Sequence, residues 1–305
     1  MENASLTLAG GWWPALRLLI LGVGLLMGEG CTRRALLEQA QQAWDVEDFA
    51  TAVNHYETFL RENPESEQAA EIRFRAATIC ARDLHEYDRA IAHFIRLLED
   101  HPDSPDLLKA RLRLAECYAA VEKRNEAISE YENLLPLLSD LREKRRLRLQ
   151  IANLYYEKND LGQAVVEYRK VASGQEWDDL QVQATLRLAQ VAYLRDDLEA
   201  AMLAFGQVLD RSQDPAIKRV AQLGMVDCYE RVLRFDEALA LLQKIDADPA
   251  VGTREKEQLQ RRMTEMRERQ RQRLTSSENP EKMGWGTSRT SRRLPAREAS
   301  REARP

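Results

Sequence analysis

The feature that most constrains this chain is an alanine that keeps returning. Ala52, Ala90, Ala127, Ala164, Ala201 and Ala238 are separated by 38, 37, 37, 37 and 37 residues. Four residues after each comes a large apolar side chain: Tyr56, Phe94, Tyr131, Tyr168, Phe205 and Leu242. Three residues further on stand Phe59, Leu97, Leu134, Val171, Val208 and Ile245. Offsets of zero, four and seven share one face of a helix. Twelve residues before each alanine lies a small or modest residue: Ala40, Thr78, Ala115, Ala152, Ala189 and Val226. Each repeat therefore holds two amphipathic helices whose small residues let the backbones approach. A period of this length belongs to stacked helix–turn–helix units. The expected fold is all-α, a solenoid of about six repeats rather than one compact globule.

The turn inside each repeat is marked by an apolar residue three before the alanine (Phe49, Tyr87, Leu161, Leu198, Phe235), with Arg124 as the exception. The first two junctions between repeats read Asn63-Pro64-Glu65-Ser66 and His101-Pro102-Asp103-Ser104. Proline cannot continue a helix, and the Asp or Ser after it can cap the next one. Cys80, Cys117 and Cys228 all precede their alanine by ten residues, where Leu154 and Val191 stand in other repeats. A site that accepts Leu, Val or Cys is a core site, so these thiols are expected to be buried and unpaired.

Beyond the sixth repeat, Leu259, Met263 and Met266 form a thin apolar stripe in a charged segment. It suits a helix that covers the open end of the array, as solenoids require. From Thr275 the chain is rich in Ser, Gly, Pro and Arg without an apolar period. The expected layout is a signal peptide over 1–30, repeats over 31–250, a capping helix over 251–274 and a disordered basic tail over 275–305.

The repeat pattern, over roughly residues 33 to 250, resembles the tetratricopeptide repeat. Its long spacing and Pro-x-Ser junctions resemble those of bacterial cell-envelope lipoproteins, notably the BamD-like outer-membrane assembly lipoproteins. Residues 18 to 27 form a single long apolar run preceded by Arg17. As a helix it spans about 15 Å, half of a hydrocarbon core, which fits a signal peptide better than a membrane span. The following Gly28-Glu29-Gly30-Cys31 resembles a lipobox, although Gly28 stands where the family prefers Leu. This resemblance implies acylation of Cys31 and an outer-membrane lipoprotein facing the periplasm. An ordinary cleaved signal and an uncleaved anchor are the alternatives.

Catalysis needs converging groups, and the four histidines (His55, His85, His93, His101) do not converge along the repeat. His55 and His93 share one repeat offset, read as a surface position of the second helix. Zinc-protease, paired-cysteine, phosphate-loop and nucleophile-elbow motifs are all absent from the sequence, so neither an enzyme nor a cofactor or metal is expected. A net charge of −5 argues against general nucleic-acid binding.

The first helix of each repeat has one face left over by its apolar positions. In repeats three to five it carries Lys109, Arg113, Arg146, Gln150, Asn153, Arg187 and Gln190, with Tyr156 and Tyr193 at its edge. In tetratricopeptide domains the first helices line the concave surface, so the resemblance implies a peptide groove with a basic centre. The expectation is a scaffold that binds a protein or peptide, with membrane attachment through a lipid. Rival readings are a pilotin for a secretin, a coordinator of division or wall synthesis, and a carrier of a small acidic ligand.

Overall fold

The computed structural model describes residues 32–174 and 177–278, so the expected signal peptide, Cys31 and the tail beyond Glu278 lie outside the described residues. Thirteen α-helices and one 3₁₀ turn occur among them, with no strand. Two compact units divide between Ser212 and Gln213. The first holds five helix pairs: α1 (32–45) with α2 (Phe49–Glu62), α3 (Ala69–Arg82) with α4 (Tyr87–Asp100), α5 (Leu107–Ala120) with α6 (Arg124–Leu134), α7 (Leu141–Glu157) with α8 (Leu161–Ala172), and α9 (Asp179–Leu194) with α10 (Leu198–Arg211). The second unit holds α11 (Pro215–Arg231), α12 (Phe235–Asp246) and α13 (Thr253–Glu278).

The repeating alanines are the points of closest helix approach. All six are 0% exposed, and the large residue that follows each is almost wholly buried. In the first unit the second helix of each pair packs on the first helix of the next, as in α4 on α5 and α8 on α9. Arg111 on α5 pairs with Glu130 on α6 at 2.9 Å, and Arg148 on α7 pairs with Glu167 on α8 at 3.0 Å. These two bridges occupy the same repeat positions, so charge as well as packing is periodic there.

Every turn within a repeat contains a left-handed residue five before the alanine. Glu47, His85, Glu122, Asn159, Asp196 and Leu233 have φ between 56 and 62°. That conformation costs an ordinary L residue about 1–2 kcal/mol, and Asn or Asp tolerates it best. The turn closes with a backbone hydrogen bond from the next residue to the preceding helix, as in Lys123 N to Tyr118 O (2.9 Å) and Asp160 N to Tyr155 O (2.9 Å). Where that next residue is aspartate it also caps the second helix: the side chains of Asp48, Asp160 and Asp197 accept from Thr51, Gln163 and Ala200 N–H.

The second repeat corrects the sequence alignment. Its turn is one residue longer, since Glu86 N donates to Cys80 O six residues back (2.8 Å) where the third repeat spans five. The 38-residue interval is therefore absorbed between Cys80 and Glu86. Counted from the helix starts, Ala77 is the equivalent of Ala115, and it is 0% exposed while Thr78 is only half-buried. Cys80 then matches Tyr118 rather than Cys117. All three described thiols are nonetheless free and buried. Burial pushes Cys80 up to about 12, and Cys117 and Cys228 up to about 11.

Two further expectations change. Ser66 and Ser104 do not cap α3 and α5; their hydroxyls accept from Gln68 N and Asp106 N at 3.3 Å within the junction turns. His93 is not a surface residue. Its Nε2 lies 2.9 Å from Glu57, which also accepts two hydrogen bonds from Arg89 and so ties α2 to α4.

In the second unit α13 lies against α12. Leu259, Met263 and Met266 are buried with Val251, Phe235 and Ile245. Arg262 adds ion pairs to Asp227 and Glu230 of α11. The helix continues past Leu274, the expected end of the cap, to Glu278.

Candidate partner-binding face

The apolar offsets of the first helices turn inward, which leaves their polar offsets outside. In the first unit α3 touches α5 and α7 touches α9 along this side, while α5 and α7 stand further apart. The cause is local. Helix α6 has only 11 residues and runs into the 3₁₀ turn Leu135–Leu137, which contains Pro136. Helix α6 also packs on α7 less extensively than α4 does on α5.

A cleft of about 490 Å³ opens there. Its floor is Tyr131, Leu134 and Leu147, its walls Leu108, Leu112 and Leu138, and its rim Lys109, Glu116, Glu143, Arg146 and Gln150. Glu116 is held by Arg113 at 2.8 Å and Lys109 by Asp106 at 2.8 Å. Burial pushes the Tyr131 phenol up to about 12, so it stays neutral on the floor.

Two adjoining clefts, of about 340 and 520 Å³, separate α1 from α3 and share Gln41, Tyr56 and Arg75. Trp44, Phe74 and Ile79 give one end an apolar floor, and Arg33 and Arg34 line the other. Trp44 is 42% exposed, a large apolar surface for a soluble face. Arg75 is held at 2.6 Å by Glu71.

Residues 37–83 and 81–137 match the tetratricopeptide repeat family model. No curated protein matches the chain. Among solved structures, a tetratricopeptide repeat protein from Parabacteroides merdae aligns with a TM-score of 0.53 and 16% identity, over 84% of this chain and 94% of that one. The C-terminal part of a tetratricopeptide repeat-containing protein from Cytophaga hutchinsonii aligns with a TM-score of 0.51 and 15% identity, over 68% of this chain and 77% of that one. At such identities the likeness is one of fold. The architecture is a tetratricopeptide-type helical array.

Within it, the residues singled out from sequence separate into three groups. Lys109, Arg146 and Gln150 line the α5–α7 cleft together. Arg113 is exposed beside it, paired to Glu116. The others are engaged in contacts of the array. Asn153 accepts from the buried Tyr168 hydroxyl at 2.8 Å. Arg187 lies 5.7 Å from the Tyr156 ring centre and donates to Gln190 at 3.0 Å. Tyr193 is half-buried. Sequence reasoning passed over Trp44, Arg75 and Arg82, and read Thr78 as a packing position. Once the extra residue of repeat two is placed in its turn, Arg75, Thr78 and Arg82 fall at the repeat positions of Arg113, Glu116 and Ala120. The one irregular alanine interval was the signal.

Proposed function

We propose that this protein is a non-enzymatic scaffold that binds other proteins on the first-helix face of its repeats. The observation that carries this reading is the α5–α7 cleft: an apolar floor with a rim of Lys109, Arg146 and Gln150, built from surface positions of successive repeats. Long cationic and amide side chains around an apolar floor recognise a segment by shape and by charge together.

The reading extends to the cell envelope. Cys31 after the apolar run anchors the protein by acylation to the outer membrane, with the repeats facing the periplasm, in a BamD-like role in outer-membrane protein assembly. The motivation is the sequence of residues 17–31. Mass spectrometry of the envelope protein tests it: a mature form beginning at an acylated Cys31 is expected, and another N-terminus or an unmodified thiol refutes the tether.

Partner binding is tested by reversing Arg113 and Arg146 to Glu, both exposed, against a control reversal of Arg96 and Arg169 on second helices. Exposed charges change stability by about 0.5 kcal/mol at most, so both proteins remain folded. Pull-down from envelope membranes is expected to lose its partner only with the first pair. A captured barrel-assembly protein supports the favoured role, whereas a secretin or a wall synthase moves the assignment to a pilotin or a wall coordinator. Equal capture by both variants refutes binding on this face.

A further inference from the structure

We infer that α13, from Arg267 onward, is an arm that lies on an anionic lipid surface. This is a second binding surface, independent of the first-helix face of the repeats.

The helix is held by its first half and then runs on. Its buried side chains are Leu259, Met263 and Met266, and none of the described residues after Met266 is buried. Arg269 still reaches Glu230, and Gln270 donates to Asp236 at 2.9 Å. From Arg271 to Thr275 every side chain is exposed. Arginine dominates this stretch: Arg267, Arg269, Arg271 and Arg273 stand against Glu268 alone. Arg267, Arg271 and Arg273 make no hydrogen bond or ion pair among the described residues.

Neither the helix dipole nor solvation accounts for this charge. The dipole favours cations in the last turn of a helix, but Arg267 lies about three turns before the end at Glu278. A face that serves only solvation mixes both signs, so that neighbours four apart attract. Here Arg267 with Arg271, and Arg269 with Arg273, are like charges at that spacing, which destabilises an isolated helix. The segregation reaches further along the chain. Residues 267–305 carry eleven Lys and Arg against five Asp and Glu, while residues 1–266 carry 34 against 45. An anionic surface outside the chain offsets that repulsion.

Lipid fits this face better than nucleic acid does. Arg267, Arg271 and Leu274 recur at offsets of zero, four and seven, so they share one stripe. Leu274 is 58% exposed. Phosphate groups of either partner pair with the arginines. At a bilayer interface the leucine also leaves water, beside the cationic side chains, whereas a phosphodiester backbone leaves it uncovered.

The test uses the whole chain with Cys31→Ala, which removes any acyl tether, and with Leu274→Cys carrying an environment-sensitive fluorophore. The other described thiols are buried, so labelling is confined to position 274. The probe reads the arm itself, not attachment through the apolar run at 18–27. Vesicles of phosphatidylcholine with about a third phosphatidylglycerol are expected to shift its emission to the blue, and vesicles of phosphatidylcholine alone to leave it unchanged. Added salt is expected to reverse the shift. Arg267→Gln, Arg271→Gln and Arg273→Gln together are expected to lower the affinity about a hundredfold, since each cation near an anionic membrane contributes about fivefold. All three positions are exposed, so the chain stays folded. An unchanged probe on anionic vesicles, an equal shift on neutral ones, or a triple variant that binds as well as its parent overturns the inference. So does polyuridylate that displaces the vesicles and shifts the probe further, which assigns the arm to nucleic acid. None of these results bears on partner capture by Arg113→Glu with Arg146→Glu or on acylation of Cys31, so each reading stands or falls by its own experiment.

Discussion

Two junctions between repeats, α6 to α7 and α8 to α9, solve the same problem differently. At α8 to α9 the described polar groups converge in one knot. Arg145 grips Asp178 through both terminal nitrogens at 2.7 and 2.8 Å and also reaches Val171 O at 3.2 Å. Asp178 caps α9 by accepting from Gln181 N–H at 2.9 Å, and Gln181 returns a bond to its backbone. The Gln181 amide, 1% exposed, then donates to Ala172 O and Gly174 O, closing the end of α8. The α6 to α7 junction has a cap, Asp140 to Arg142 N–H, but no such knot. Its residues Leu137 and Leu141 project into solvent, and the cleft lies beside them. One junction spends its polar groups on closure and the other leaves surface for a ligand. The repeat fixes the stacking, and the junction decides whether a neighbour fits between.

The comparison breaks first at Asp178. Asp178→Ala removes a cap and leaves a half-buried guanidinium without its partner, at a cost of about 2–3 kcal/mol. The neighbour-by-neighbour stability of repeat arrays concentrates that loss at the α8–α9 interface. Urea unfolding with amide exchange on α9 reads it; Glu143→Ala, at the open junction, is expected to change stability by less than about 0.5 kcal/mol. Equal losses would mean that both junctions are equally closed.

The same carboxylate predicts an acid response. Burial pushes the Asp178 carboxyl up, but Arg145 and the Gln181 N–H together hold it below the usual 3.8. A depressed carboxylate binds its proton later in the folded chain than in the unfolded one. Its contribution is therefore complete above the unfolded value and lost as the pH falls through the folded one. Exchange at the start of α9 is expected to rise below about pH 4, and Asp178→Asn to remove that dependence.

A smaller effect is expected at Gly174. A Cβ built there would sit 2.7 Å from Gln181 Nε2, and that amide is too enclosed to withdraw without losing its carbonyl partners. Gly174→Ala is expected to cost about 1–2 kcal/mol by leaving buried carbonyls unsatisfied. Gly174→Ala combined with Gln181→Ala separates clash from lost bonds: a double variant no worse than Gln181→Ala alone confirms that the clash acts through that amide.

The stacking was legible in the sequence because close helix approach admits only small side chains, and a buried alanine cannot drift without leaving a visible break. The stripe on α13 was legible for the same reason: Met263 and Met266 recur at helical spacing and are buried. What escaped depends on where one residue is inserted and on how a junction bends. The extra residue of repeat two moved Arg75 and Arg82 out of the counted positions, and nothing in the local pattern says whether Cys80 belongs to helix or turn. The cleft arises from a 3₁₀ turn between two helices, which no periodicity reports. Nor does spacing reveal which polar groups are already engaged: Asn153 and Arg187 share a stripe with Arg146, yet Asn153 accepts from the buried Tyr168 hydroxyl and Arg187 lies over the Tyr156 ring.

The smallest effect comes from the turns on either side of the open junction, within the third and fourth repeats. Both place a non-glycine residue in the left-handed region, Glu122 at φ 60° and Asn159 at φ 60°. Asparagine accommodates this conformation and glutamate does not, so the two turns carry different strain at the same geometry. Glycine relieves that strain but adds freedom to the unfolded chain, and the balance decides the sign. For Glu122→Gly relief wins, with a gain of about 0.5–1 kcal/mol, because a 77% exposed side chain 3.5 Å from Arg124 has little else to lose. For Asn159→Gly the two terms nearly cancel, and a change within about 0.3 kcal/mol is expected. Thermal unfolding of the two variants measures the difference. Neither substitution touches the Leu135–Leu137 turn or the lining of the cleft. Partner capture should therefore stay constant while stability rises, and a Glu122→Gly protein that captures its partner more weakly would show that strain in the neighbouring turn helps hold the cleft open.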